Sequence, residues 1–448
     1  MTQADTDTIV AVATPPGQGA ISIIRLSGPR ALACLRSPFS NHSLPSREQT
    51  FGRILDPSSG KVLDEVLATF FPGPRSYTGE DVVEVSGHGG PFVTGQLFRA
   101  FLQTGARAAE GGEFTQRAFL NGKLDLTQAE AVMDLISAES DLARQSALDQ
   151  LGGSLSSKVE DLRQQLIKIL AHLEAFIDFP DEDIDPETGN ALSARIQSLA
   201  EETSLLAATA TAGRILREGV RTVICGAPNA GKSSLLNTLT GQDRAIVTEI
   251  PGTTRDTIEE SIQLGGILLR LTDTAGIRDT DDVVEQAGIE RSNRALSQAE
   301  LVLEVLDGTQ PPPESPPIPE GAIHLRLRNK ADLPMNPSWN DASLSEFHPI
   351  SCTTGEGLSA LREQAQELLL QRKASSDLAL VINARHQVAL ENTSKFLNTG
   401  REGLQREVAP EFIAVDLRSA LESLGEITGK TDIEEILGEI FQTFCIGK

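Results

Sequence analysis

RTVICGAPNAGKSS (residues 221–234) joins a short apolar run, Val223 to Cys225, to a glycine loop, and SLLNTL behind it has helical spacing. The loop GAPNAGKS, Gly226 to Ser233, fits G-x-x-x-x-G-K-[ST] at every position, and strand, loop and helix are the context this phosphate-binding motif requires. Gly226 and Gly231 keep side chains away from a triphosphate. The backbone N–H groups of the loop and the helix N-terminus behind it form a nest for anions, so Asn229, Ala230, Gly231, Lys232, Ser233 and Ser234 are the expected nucleotide contacts. Lys232 is placed to reach the β- and γ-phosphates, and Ser233 to ligate Mg2+. The loop alone specifies a nucleotide; the base is specified by segments further along the chain.

VTEIPGTTRD (247–256) carries Thr253 and Thr254, suited to a switch segment that meets Mg2+ and the γ-phosphate. SIQLGGILLRLTDTAG reads as a hairpin turning at Gly265-Gly266 and ending in Asp273-Thr274-Ala275-Gly276. There Asp273 would hold the Mg2+ shell, and the Gly276 amide would sense the γ-phosphate. LVLEVLDG reads as a buried strand, with Glu304 a charge that periodicity does not explain. Asn329-Lys330-Ala331-Asp332 then names the base. The Asp332 carboxylate can accept from both N1–H and the exocyclic amine of guanine; adenine lacks that donor pair and would leave the carboxylate unpaired. Ser351, Cys352 and Thr353, in SCTTGEGL, supply backbone to the base oxygen. In this order and spacing the pieces define a GTPase, and an ATP kinase would not use Asp332 this way. A second GKT, Gly429 to Thr431, has no strand before it and is a decoy.

A glutamine directly after DTAG orients the attacking water in many small GTPases, but here that position is Ile277. Another group must do this work. Asp279, Asp281, Asp282 and Glu285 lie in the adjoining acidic run, and the residues alone do not choose among them.

The 448 residues suggest two to four domains, and a net charge of −24 argues against coating nucleic acid by bulk charge. Four scattered cysteines without C-x-x-C, and histidines without H-x-x-x-H, exclude a disulfide framework or a zinc site as the simple reading. No apolar run reaches 18 residues and MTQADTDTIV lacks the marks of a secretory leader, so the expected home is cytoplasmic.

Before residue 120, DTIVAVAT, GAISIIRLSG, VLDEVLATFF and DVVEVSG read as strands and GGPFVTGQLFRAFLQTG as a helix. This is a small α+β domain. Alternation in the last strand puts Val83 and Val85 on one face and Glu84 on the other; alone, Glu84 and Arg25 are ambiguous between solvated strand residues and ligand contacts. Helical periodicity comes next: Leu126, Ala129, Val132, Met133 and Ile136, then Leu155 to Ile177, then one helix over about 191–216. Helices resume after 374 and end in DIEEILGEIFQTF, where Thr431 and Glu434 form a capping box. The expected fold is multidomain α+β and α/β: an N-terminal α+β domain (1–119), a discontinuous all-α domain (120–216 and 374–448), and a Ras-like P-loop domain inserted in it (217–373).

These stretches, TIVAVATPPGQGAISIIRLSG, SYTGEDVVEVSGHGG, GEFTQRAFLNGKLDLTQAEAVMDLI, the nucleotide motifs and the terminal FCIGK, together resemble the MnmE (TrmE) tRNA-modification GTPase family from end to end. The resemblance implies a folate-binding, homodimerising N-terminal domain with contacts at Arg25, Glu84, Lys123 and Lys448. It implies a flavoprotein partner, MnmG (GidA), which carries the FAD and joins in a heterotetramer or larger assembly. The pair would install the (carboxymethyl)aminomethyl group at C5 of the wobble uridine of certain tRNAs, with 5,10-methylene-tetrahydrofolate (or its 5-formyl analogue as a ligand) as carbon source. Neither membrane nor DNA is implied. K+ replaces an arginine finger in the family, which maps to Asn229, Thr248, Ile250 and Thr253, while Mg2+ maps to Ser233 and Thr254. Glu285 matches the water-orienting glutamate, and Lys232 and Cys445 complete the catalytic set that the resemblance implies.

Two departures are visible. The proline-rich PPPESPPIPEG after LDGTQ is short for a crossover helix, and Cys352 stands where alanine is usual. The rival functions are a GTPase switch in ribosome assembly, which usually carries a Lys/Arg-rich appendage absent here, and a folate enzyme with a vestigial G domain, which the intact Lys232, Asp273 and Asp332 oppose.

Overall fold

The computed structural model describes residues 7–178, 189–242, 260–272, 294–341, 346–370, 380–430 and five positions near the C-terminus: Leu437, Ile440, Phe441, Phe444 and Gly447. Its contacts form two units, residues 1–133 with 425–448, and residues 134–424.

In the first unit, β1 (Ile9–Val12), β2 (Ile21–Ser27), β3 (Thr50–Leu55), β4 (Val62–Phe71), β5 (Val82–His88) and β6 (Arg107–Ala108) form one sheet in the order β3-β4-β5-β2-β1-β6. All pairs are antiparallel except β1 with β6. Alternation holds in β5, where Val83 and Val85 are fully buried. The helix Pro91–Gln103, begun by proline at its first turn, covers that face with Leu97, Ala100 and Phe101. Leu437, Phe441 and Phe444 continue the C-terminal stripe and pack with Leu126 and Ala129. Ile136, expected on the same stripe, is 46% exposed. It lies about two turns beyond Ala129, past the end of that cluster.

In the second unit, β7 (Val220–Cys225), β8 (Glu260–Leu264), β9 (Ile267–Leu271), β10 (Leu301–Asp307), β11 (Ile323–Asn329) and β12 (Phe347–Pro349) run in the order β12-β11-β10-β7-β9-β8. Only β8 is antiparallel to its neighbour. The near-continuous apolar runs of β7 and β10 reflect burial on both faces. Helices Lys232–Gln242 and Leu358–Leu370 contribute to the core of this sheet. The link between β10 and β11 has no helix; its Ile318 and Ala322 pack towards Val223 and Val302 instead, so the proline-rich segment itself covers that face. Glu304 is also accounted for: it is buried, accepts from Ser315 Oγ (3.1 Å) and Arg326 Nε (3.2 Å), and lies 3.0 Å from His324 Nε2.

The long helix Ser154–Asp178 buries Leu155, Val159, Leu162, Leu166, Ile169, Leu170 and Leu173, the periodic set except its last member, Ile177, which is half-buried near the helix end. The expected single helix over 191–216 is two, Gly189–Ala207 and Ala210–Glu218. At the break, the Thr209 hydroxyl donates to the Leu380 carbonyl (2.9 Å). Gln150 Nε2 donates to Val381 O (2.8 Å) and an Arg217 guanidinium N–H to Ile382 O (2.9 Å). Three successive carbonyls of the returning chain are therefore held beside the point where the nucleotide sheet begins. The capping box on the final helix, Thr431 and Glu434, lies outside the described residues. A capping box is present at Asn383 and His386, opening the helix Ala384–Gln405. No helix among the described residues is long and apolar enough to cross a membrane.

Candidate functional site

The phosphate loop leaves the carboxyl end of β7, and β7 is where the strand order reverses: β9 lies on one side of it and β10 on the other. Ligands of open parallel sheets bind at that crevice. Gly226 (φ +143°) passes so close to the Val305 carbonyl that a Cβ would strike it, and a Cβ on Gly231 (φ +103°) would strike Asn329 Nδ2. Asn229 holds φ +61°, in the left-handed region, at the crest of the loop. Lys232 Nζ donates to the carbonyls of Gly226 (3.1 Å) and Ala227 (3.0 Å). Ser233 and Ser234 lie in the first turn of the helix Lys232–Gln242, where the helix dipole favours an anion.

Asn329 ends β11 and is buried. Its Nδ2 donates to Ala230 O (2.9 Å), and its Oδ1 accepts from Cys352 N (3.2 Å). One side chain thus ties the phosphate loop to the base loop. Ser351 is buried and its Oγ accepts from Thr354 N (3.1 Å); Thr353 is exposed. Ala331 N donates to Ile350 O (3.0 Å), and the neighbouring Asp332 side chain stays exposed, free to face a base edge. Lys330 Nζ pairs with Asp307 Oδ2 at 2.6 Å. Burial raises the Asp307 carboxyl, but hydrogen bonds from Lys330 and Thr309 outweigh it and hold the group below its ordinary value. The thiols are pushed the other way: burial and then Glu304 take Cys225 up to about 11, and burial and then Asp332 raise Cys352. Both stay neutral near pH 7 and serve as packing, not as nucleophiles.

In the first unit, Arg25 (β2) and Glu84 (β5) are register partners. The Arg25 guanidinium reaches Glu84 Oε1 at 2.8 Å and lies 5.6 Å from the Tyr77 ring centroid and 5.8 Å from that of Phe114. A second N–H donates to the Gly447 carbonyl (3.5 Å), which brings that stretch of backbone to this site. Burial raises the Tyr77 phenol, and its OH hydrogen-bonds Thr115 Oγ1 (2.8 Å). The two rings pack on the guanidinium, Phe114 being fully buried, and the Glu84 carboxylate is the partly exposed group that can accept from a donor-bearing ligand. The hydrogen bond of Lys123 Nζ goes to Pro74 O (3.2 Å).

Behind this wall lies an ion cluster that single-residue reading missed. Arg117, 3% exposed, pairs with Asp7 (2.6 Å), Glu113 (2.9 Å) and Glu80 (3.2 Å), and Arg107 pairs with Glu113 (2.6 Å) and Asp7 (2.7 Å). The available signal was GEFTQRAF, which puts Glu113 and Arg117 one helical turn apart.

Thr248, Ile250, Thr253, Thr254, Asp273, Thr274, Ala275, Gly276, Glu285, Cys445 and Lys448 lie outside the described residues. The structure therefore brings together Asn229 to Ser234 with Asn329, Lys330, Asp332 and Cys352 in one site, and Arg25 with Glu84 in another. It adds Asp307, Tyr77, Phe114 and the Gly447 carbonyl.

A phosphate loop at the switch point of a parallel sheet, laced to an Asn-Lys-Ala-Asp turn, defines a P-loop GTPase. Residues 8–123 match the family described as GTP-binding protein TrmE N-terminus, and residues 126–445 match the MnmE helical domain. The chain belongs to the MnmE family of tRNA modification GTPases. A tRNA modification GTPase MnmE of Akkermansia muciniphila is 51% identical over 98% of this chain and 99% of its own. One from Natranaerobius thermophilus is 43% identical over 99% of each. Among solved structures, the G domain of the T. maritima FeoB iron transporter is 22% identical, covering 34% of this chain and 98% of its own, with a TM-score of 0.22.

Proposed function

We propose that the chain is a potassium-stimulated GTP hydrolase that acts in forming the (carboxymethyl)aminomethyl group at C5 of the wobble uridine of certain tRNAs. The observation that carries this reading is full-length similarity to relatives named tRNA modification GTPase MnmE, supported by the Asn329 contact between phosphate loop and base loop and by the Arg25–Glu84 pair. The domain division at 119, 216 and 373 belongs to the same proposal.

In the G domain, Lys232 and the loop amides hold the phosphates, and Asp332 reads the guanine edge. Ser233 and Thr254 ligate Mg2+. The fit to K+ rests on Asn229, whose exposed side chain crests the loop in a left-handed conformation; Thr248, Ile250 and Thr253 supply the other ligands. Such a cation would neutralise charge that develops as the phosphate bond breaks. Glu285 orients the water in place of the residue that Ile277 cannot supply. At the other site, Arg25, Glu84, Lys123 and Lys448 bind methylene-tetrahydrofolate, which supplies the one-carbon unit; Cys445 is assigned the nucleophilic chemistry. FAD is carried by the MnmG-type partner, and the chain works as a homodimer within that larger assembly.

The test is a reconstituted reaction with partner, folate, GTP and tRNA, with mass analysis of the wobble nucleoside. Modified uridine is the expected product. GTP turnover with unmodified tRNA would favour a switch without modification chemistry.

A further inference from the structure

The Asp307–Lys330 pair lies one residue from the contact that joins the two loops of the guanine site, and its geometry is unusually constrained. Asp307 and Asn329 are register partners at the carboxyl ends of adjacent parallel strands, and Gly308 N donates to Asn329 O (3.0 Å). One Asp307 oxygen accepts from Thr309 N (2.9 Å) and Thr309 Oγ1 (2.7 Å); the other holds Lys330 Nζ at 2.6 Å. The carboxylate is thus fixed on one side and presents a single oxygen to the lysine.

Lys330 itself holds φ +64°, a left-handed conformation uncommon outside glycine. That conformation turns the chain at Asn329-Lys330-Ala331-Asp332. Leu333 N closes the turn on Lys330 O (3.0 Å), and Ala331 N is held by Ile350 O (3.0 Å). Asp332, between those two anchors, is exposed. Its selectivity depends on aiming both carboxylate oxygens at two adjacent donors, so a small rotation of the turn is felt directly.

We propose that Asp307 is a positioning residue for guanine recognition: through Lys330 it holds the turn that presents Asp332. This rests on the GTP-binding reading of the same site. Asp307 is assigned to act through Lys330, not on the base. It removes the freedom of Lys330 to swing out and let the turn relax.

The experiment measures GDP and IDP binding to the full-length protein, because hypoxanthine lacks the exocyclic amine and takes one of the two contacts away. Asp307→Asn should weaken GDP binding about tenfold and shrink the preference of GDP over IDP towards one, since a misaimed carboxylate loses the two-point contact first. Asp307→Glu should recover most of that preference. In a Lys330→Met background, Asp307→Asn should add less than about twofold, because the two residues act as one unit. A purely structural role predicts a lower melting temperature with GDP and IDP weakened equally, and that result overturns the proposal. So does full additivity with Lys330→Met. If Asp307→Asn does not fold, Thr309→Val removes one hydrogen bond from the same carboxylate and should shift the same ratio less; an unshifted ratio there also overturns it. A wild-type protein indifferent between GDP and IDP would sink the guanine site itself, whereas a selective wild type with an equally selective Asp307→Asn sinks only the role of Asp307.

Discussion

Asn329 Nδ2 donates to the carbonyl of Ala230 at 2.9 Å, across 99 residues of chain, while the Oδ1 of the same side chain accepts from Cys352 N. The base-reading turn and the phosphate loop are therefore tied together through one side chain. Removing this amide takes a hydrogen bond from the buried Ala230 carbonyl and one from the part-buried Cys352 N–H. Asn329→Ala should weaken guanine nucleotide binding by about 2 kcal/mol, roughly 30-fold, read by equilibrium titration. Gly231→Ala should do at least as much, because its methyl would occupy the place of Asn329 Nδ2.

The cation is tested by exchange. At equal ionic strength, GTP turnover should be on the order of tenfold faster in K+ than in Na+, and Asn229→Ala should narrow the gap. Equal wild-type rates in the two salts would reject the potassium site. Glu285→Ala should retain GTP binding and slow cleavage about 100-fold, as expected for loss of a water-positioning group.

For the folate site, Arg25→Ala leaves Glu84 without its cation and opens the gap between Tyr77 and Phe114. Binding of 5-formyl-tetrahydrofolate, measured by ligand fluorescence or calorimetry, should fall at least about tenfold. Glu84→Gln keeps the shape and removes the charge; undiminished binding in that variant would remove the carboxylate from the site.

The ion cluster around Arg117 makes a pH prediction. Burial raises the carboxyls of Asp7 and Glu113, yet hydrogen bonds from Arg107 and Arg117 outweigh it and both lie below their ordinary values. The unfolded chain then takes up protons first as pH falls. Their stabilisation is complete above the ordinary carboxylate range, about pH 4 to 5, and is lost as pH drops through the lower folded values. Melting temperature should be flat near neutrality in this respect and fall below about pH 4.5. Arg117→Met leaves Glu113 with Arg107 as its guanidinium partner but removes the buried cation shared by Asp7, Glu80 and Glu113; it should cost roughly 3 kcal/mol at pH 7, with a shallower acid dependence, both readable by calorimetry.

The readings that held from sequence are local ones. The loop 226–233, the hairpin turn at Gly265-Gly266, the helix Pro91–Gln103 and the apolar stripe of Ser154–Asp178 each depend on backbone torsions and side-chain periodicity within a few residues. Their causes are carried by neighbouring positions in the chain, so they are legible there. The break at Thr209 was not; there the hydroxyl bonds the Leu380 carbonyl, 171 residues away, as well as the local Leu206 carbonyl.

The same distinction divides the sites. Lys232, Asn329 and Asp332 announce a guanine nucleotide by order and spacing alone. The pairing of Arg25 with Glu84, of Lys330 with Asp307, and of Glu304 with His324 and Arg326 exists only once strands have taken their register. Register is set by which face of each sheet is buried, a property of the whole core, and a slip of one residue would turn every one of these side chains to the opposite face.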